Sequence, residues 1–78
     1  MSKNAVGPKV REARNRAGMR VSQAELAARL QAAGIDLDPS AISRIENQDR
    51  LVSDLEILAI CKALEVQVEW LFEGLDRA

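Results

Sequence analysis

Signals for starting and stopping helices recur at short intervals along this chain, and they limit it to a set of short helices. Ser22 with Glu25, and Ser53 with Glu56, have the Ser-x-x-Glu spacing of a capping box, in which the hydroxyl and the carboxylate each satisfy a free backbone N–H. Asp38 followed by Pro39 offers a third start, since Asp caps well and Pro suits the first helical position. Gly18, Gly34 and Gly74 stand where helices should stop. Between these marks the apolar residues recur at helical spacing, and no segment reads as a strand.

Five segments follow. The first runs from Pro8 to Ala17, with Val10, Ala13 and Ala17 on its buried side. The second runs from Ser22 to Ala33, with Leu26, Ala27 and Leu30 as its apolar stripe. In the connector "GIDLD", Ile35 and Leu37 alternate with acids. The third begins at Asp38 and ends near Asn47, and "QDRLV" is a loop. The fourth runs from Ser53 to Leu64, with Ile57, Ile60, Cys61 and Leu64 at i, i+3, i+4 and i+7. After it comes Glu65, where a Gly would be easiest. The fifth, "VEWLFE", carries Trp70, Leu71 and Phe72. A chain of 78 residues has room for one such domain with a modest core. The expected fold is all-α, a compact five-helix domain over residues 6–75, with 1–5 and 76–78 loose.

The third helix is unusual. Ile42 and Ile45 share one face, and Ser40, Ser43, Arg44 and Asn47 gather on the other, without the Lys and Glu that fill most exposed faces. Arg44 has no acid four residues away on either side, since Ser40 and Gln48 flank it. Such a face suits a groove: the major groove of DNA admits one helix, and side chains on its outer surface read base edges.

Other functions lack their residues. There is no His, no Tyr and no Gly-rich phosphate loop, so an enzyme is not expected. With a single Cys and no His, neither an internal disulfide nor a structural zinc site is expected, and no cofactor is called for. Cys61 reads as an inert core residue. No apolar run approaches the roughly 20 residues of a membrane span. The start "MSKNAVGPK" has no apolar signal segment, so a cytoplasmic protein is expected. Net charge is −1, the wrong sign for a nucleic-acid binder, but the distribution is polarised. Residues 1–20 hold six basic side chains and one acid, whereas residues 51–78 hold two basic side chains and six acids. A positive end can face a polyanion while the acidic end faces away.

Four stretches in order, "VGPKVREAR", "SQAELAARL", "SAISRIEN" and "EILAICKALEVQVEWLF", resemble the helix-turn-helix domain of the Cro and phage-repressor type, the XRE family. The resemblance covers Val6 to Phe72 and implies a lambda-repressor-like fold with a central helix-turn-helix. It implies a double-stranded DNA-binding transcriptional regulator, usually a dimer and most often a repressor. By position it implies that Gln23, with Ser22 beside it, meets a phosphate. Ser40 and Arg44 would face bases, and Ala41 at their flank could touch a thymine methyl. Ser43, Asn47 and Arg50 would hold the DNA backbone, and Arg14 and Glu46 would form a structural pair. Trp70, Leu71, Phe72 and Leu75 form an apolar end suited to a dimer contact.

Three features depart from the compact phage repressors. The insert "QAAGIDLD" lengthens the path between the two motif helices, and Pro39 replaces a long contacting side chain. The connector "GMRV" is also long. A near-palindromic operator bound by a homodimer, with no small-molecule effector, is the expected mode of action. The alternative is a protein-interaction module of the same fold, an antitoxin-like or adaptor subunit, which the acidic C-terminal third and Pro39 favour.

Overall fold

The computed structural model describes residues 2–75, and among these it has five helices and no strand. They are α1 (Gly7–Asn15), α2 (Gln23–Ala32), α3 (Pro39–Glu46), α4 (Asp54–Leu64) and α5 (Val68–Leu71). The expected all-α architecture is the one found. The starts are set locally. Ser53 Oγ accepts from Glu56 N at 3.1 Å while Glu56 Oε1 accepts from Ser53 N at 2.9 Å, a complete capping box. Asp38 Oδ1 accepts from Ala41 N at 2.7 Å. At α2 only half the expected box forms: Ser22 Oγ accepts from Glu25 N at 3.0 Å, but the Glu25 carboxylate turns to Arg29 Nη2 at 2.9 Å.

One end differs from expectation, that of α1. α1 stops at Asn15, and Ala17 is exposed rather than buried. Arg16 is extended, its guanidinium reaches back to the Ala13 carbonyl at 3.1 Å, and Val21 N donates to the Arg14 carbonyl at 2.9 Å. The helix therefore closes before Gly18. Glu65 closes α4 in the left-handed region at φ 58°, a position where glycine is more comfortable.

The core draws on every helix: Val10 and Ala13, Leu26 and Leu30, Ile42 and Ile45, Ile60 and Leu64, and Leu71. Each of the buried Val, Leu and Ile side chains contributes about 1.5–3 kcal/mol. Leu37, in the insert between α2 and α3, is also buried. The insert thus adds a core anchor while Asp36 and Asp38 stay in solvent. Cys61 is in the core too, and burial pushes its thiol up, which keeps it inert.

The N-terminal residues are not all loose. Lys3 N donates to the Gln48 carbonyl at 2.9 Å. Asn4 works in both directions: its Oδ1 accepts from Val6 N at 3.1 Å and Gly7 N at 2.8 Å, and its Nδ2 donates to the Ile45 carbonyl at 3.0 Å and the Arg50 carbonyl at 2.8 Å. Asn4 caps α1 and latches it to the end of α3. The residues 76–78, expected to be loose, lie outside the described residues.

That latch forces a close approach. Gly7 is buried, and a Cβ there would run into the carbonyl oxygen of Ile45 and lie 2.9 Å from that of Glu46. Gly7→Ala should therefore destabilise the protein by about 1–3 kcal/mol, the cost of overpacking. Helix propensity alone gives the opposite sign, a gain of about 1 kcal/mol. Chemical denaturation decides between them, and a variant as stable as the parent would refute the close contact.

Candidate nucleic-acid interface

α3 packs its Ala41, Ile42, Ile45 and Glu46 side inward, against α1 and α2. The opposite side presents Ser40, Arg44 and Asn47 to solvent, with Ser43 half-buried at its edge. Arg44 makes no ion pair or side-chain hydrogen bond among the described residues. It lines a shallow depression with Asp36, Leu37, Asp38, Ala41 and Arg50. Two acids therefore stand beside the exposed guanidinium.

The angle of this face is set from behind. Glu46 is buried, and its carboxylate accepts four hydrogen bonds from three side chains. Arg14 gives two, from Nε at 2.8 Å and Nη2 at 3.0 Å. Gln23 Nε2 donates at 3.1 Å and Arg11 Nε at 3.3 Å. Burial alone would push the Glu46 carboxyl up, but the hydrogen bonds from Arg14, Gln23 and Arg11 outweigh it and hold the group below its ordinary value. Arg14 also donates from Nη1 to the Val21 carbonyl at 2.9 Å. One carboxylate on α3 thus ties down α1 and the start of α2.

The network also orients the rim. Arg11 Nη2 donates to Asn47 Oδ1 at 3.0 Å, which leaves the Asn47 amide N–H groups for an outside acceptor. Gln23 gives one amide N–H to Glu46 and retains the other, at the positive end of α2. Arg20 and Ser22 border a depression beside it with Arg14, Asn15 and Val21.

Three expected site residues need correction. Ala41 is 6% exposed, packed into the core beneath the depression that Arg44 lines, and leaves almost no surface for a thymine methyl. Arg50 is held by Glu56 through a fork, Nη1 to Oε1 at 3.0 Å and Nη2 to Oε2 at 3.1 Å, and Nη1 also donates to the Leu51 carbonyl at 2.8 Å. The same Glu56 caps α4, and the hydrogen bonds from Arg50 hold its carboxyl below the ordinary value. Arg50 is a structural cation, not a free phosphate ligand. Leu71 is wholly buried and unavailable to a partner. Of the other C-terminal residues, Trp70 is half-buried with Lys9 Nζ over its ring at 4.3 Å from the centroid, while Phe72 and Leu75 are exposed.

The basic N-terminal segment is likewise divided. Lys9 covers Trp70, Arg14 serves Glu46, and Arg16 donates to the carbonyls of Ala13 and Glu65. Sequence reasoning missed Arg11, although it sits three residues before Arg14 and so on the same side of α1. Among the described residues no group of His, Cys, Asp or Glu is arranged to hold a metal, and no helix is long and apolar enough to cross a membrane.

The helix-turn-helix family model matches residues 10–71 of this chain. The chain is similar to the restriction-modification controller protein C.AhdI from Aeromonas hydrophila, with 33% identity over 86% of this chain and 87% of the other and a TM-score of 0.70. It is also similar to the c2 repressor of phage P22 bound to the synthetic operator 9T: 25% identity, 91% and 97% of the two chains, TM-score 0.70. The DNA-binding domain of the same repressor in solution gives 26% identity over 95% and 88%, with a TM-score of 0.73. No curated protein matches the sequence.

The Glu46 network makes acid the natural denaturant. A carboxyl whose folded value is depressed contributes stability above its unfolded value, and that contribution is lost as pH falls through the folded value. The melting temperature should therefore fall below about pH 4.5, the ordinary carboxyl range. Glu46→Gln should melt lower than the parent at neutral pH and lose less on acidification. Removing Arg14, whose side chain is 12% exposed, should cost about 3 kcal/mol or more, whereas Arg11, at 52%, should cost at most about 1 kcal/mol. Parallel acid profiles for parent and Glu46→Gln, or equal losses for the two Arg variants, would contradict the hub.

Proposed function

The chain belongs to the helix-turn-helix family of the Cro and phage-repressor type, which makes it a DNA-binding transcription regulator and not an enzyme; within that class we propose that it is a sequence-specific repressor that acts as a homodimer on a near-palindromic operator. The observation that carries this reading is the outer face of α3, where Arg44 stands exposed and unpaired between short side chains. Ser40 and Ser43 let the helix backbone approach the floor of a major groove. Arg44 is then the one side chain on the face long enough to give a two-pronged hydrogen bond to a base edge, with guanine as its partner. Ser40 reads beside it.

The phosphate contacts fall to Ser22, Gln23, Ser43 and Asn47. Gln23 and Asn47 each keep amide N–H groups free, and the positive end of α2 adds to Gln23. Arg11 and Arg20 supply charge at the rim. A dimer would set two α3 helices about 34 Å apart, in successive major grooves. Asp36 and Asp38 beside Arg44 oppose loose attraction to any phosphate, so specificity rests on the fit of Arg44 to its base.

Arg44→Ala should lose about 1–3 kcal/mol of binding to the operator and relax preference at one base pair per half-site. Arg11→Ala should weaken binding to all duplexes alike and reduce the slope of log K against log salt by about one per contact. Titrations of both variants on operator and random duplexes separate the roles. Equal losses on the two duplexes for Arg44→Ala would make Arg44 a phosphate ligand, and a parent with no salt dependence would favour a protein partner over DNA.

A further inference from the structure

The insert between α2 and α3 brings Asp36 to the reading face. Leu37, just after it, is 1% exposed, and Ile35, just before it, packs half-buried against the core. The backbone is pinned on both sides of the acid. Ile35 N donates to the Leu30 carbonyl at 2.8 Å, and Leu37 N donates to the Ile35 carbonyl at 3.1 Å. Asp36 is thus an exposed side chain on a fixed turn. Arg44 reaches the same place from the helix. Helical side chains lean toward the N-terminus of their helix, so the guanidinium shares a depression with the two acids that precede α3.

The two acids are not equivalent. Asp38 is committed to the cap, where its Oδ1 accepts from Ala41 N at 2.7 Å. Asp36 makes no ion pair or side-chain hydrogen bond among the described residues, with Arg44 or with any other. The depression therefore holds one uncommitted donor, Arg44, and one uncommitted acceptor, Asp36. A carboxylate only accepts, so in a major groove it is repelled by guanine N7 and O6 and by thymine O4. It can take only an amino group. Adenine N6 stands beside the N7 acceptor of the same base, whereas cytosine N4 has no acceptor next to it on its own major-groove edge.

We propose that Asp36 is a second base-reading residue, which accepts a hydrogen bond from the N4 amino group of a cytosine next to the guanine read by Arg44. This rests on the DNA-reading role of α3 given above and adds a position to it. Asp36 lies before the first turn of α3 and Arg44 in its second, so the two meet different base pairs. Their shared depression keeps those pairs adjacent, since stacked bases are only about 3.4 Å apart. The insert then supplies specificity as well as a core anchor.

Selection from a random duplex library by the full chain, repeated with Asp36→Ala and Asp36→Asn, tests the proposal. The parent should enrich a cytosine beside the guanine of each half-site. Asp36→Ala should keep the guanine and lose the cytosine. Asp36→Asn should replace the cytosine with adenine, because an amide both donates and accepts and so fits N7 and N6 together. On the parent's enriched duplex, exchange of that C·G pair for T·A should weaken the parent about tenfold and leave Asp36→Ala unaffected. Both variants should melt with the parent, since the Asp36 side chain holds nothing in the fold. An Asp36→Ala variant that enriches the parent's sequence unchanged overturns this role while that of Arg44 stands; tighter binding to all duplexes alike would then make Asp36 a repeller of phosphates and nothing more. A parent that enriches no sequence overturns both.

Discussion

The buried carboxylate of Glu46 is the joint on which the geometry of this molecule depends. An ionised group without solvent is tolerated only when its hydrogen bonds are satisfied, and here Arg14, Gln23 and Arg11 satisfy it from two other helices. The three partners come from α1 and from the first residue of α2, so the pitch of α3 is fixed relative to both. Apolar packing alone would hold α3 in place through Ile42 and Ile45 but would set its rotation less tightly. The joint also reaches the surface, because the same Arg11 that meets Glu46 holds the carbonyl side of Asn47.

Electrostatics reinforces this division of labour. The chain carries almost as many basic as acidic residues, yet several of the cations are already paired: Arg14 to Glu46, Arg50 to Glu56, Arg29 to Glu25 and the Ala63 carbonyl, and Lys9 to Trp70. Arg44 is not committed in this way. Cations tied up in this way add little to nonspecific attraction for DNA, which leaves more of the discrimination to base-edge contacts.

Much of this was legible because it is local. The caps at Ser22, Asp38 and Ser53, the turn at Gly34 and the periodic core positions all follow from spacing within a few residues, and the helices appear where these signals place them. The polar face of α3 was legible for the same reason. The Arg14–Glu46 contact came from the family resemblance, since nothing local joins residues 32 apart. What escaped sequence reasoning is long-range: the Asn4 latch to Ile45 and Arg50, the contact that excludes a side chain at Gly7, and the reach of Arg11 to Asn47. Arg50 was placed on the DNA backbone by the family resemblance alone; the structure gives the Glu56 carboxylate two tasks, the cap of α4 and the pair with Arg50. Ala41 was misplaced by a single step around the helix, enough to turn it from the groove into the core.

The central claim is that the exposed face of α3, set by Glu46, reads a specific DNA sequence. Selection from a random duplex library by the full chain, at moderate salt, tests it most directly. The account predicts enrichment of one near-palindromic sequence, with a conserved G·C pair in each half that disappears when the selection is repeated with Arg44→Ala. Recovery of the library without enrichment, or an enriched sequence unchanged by Arg44→Ala, would contradict it.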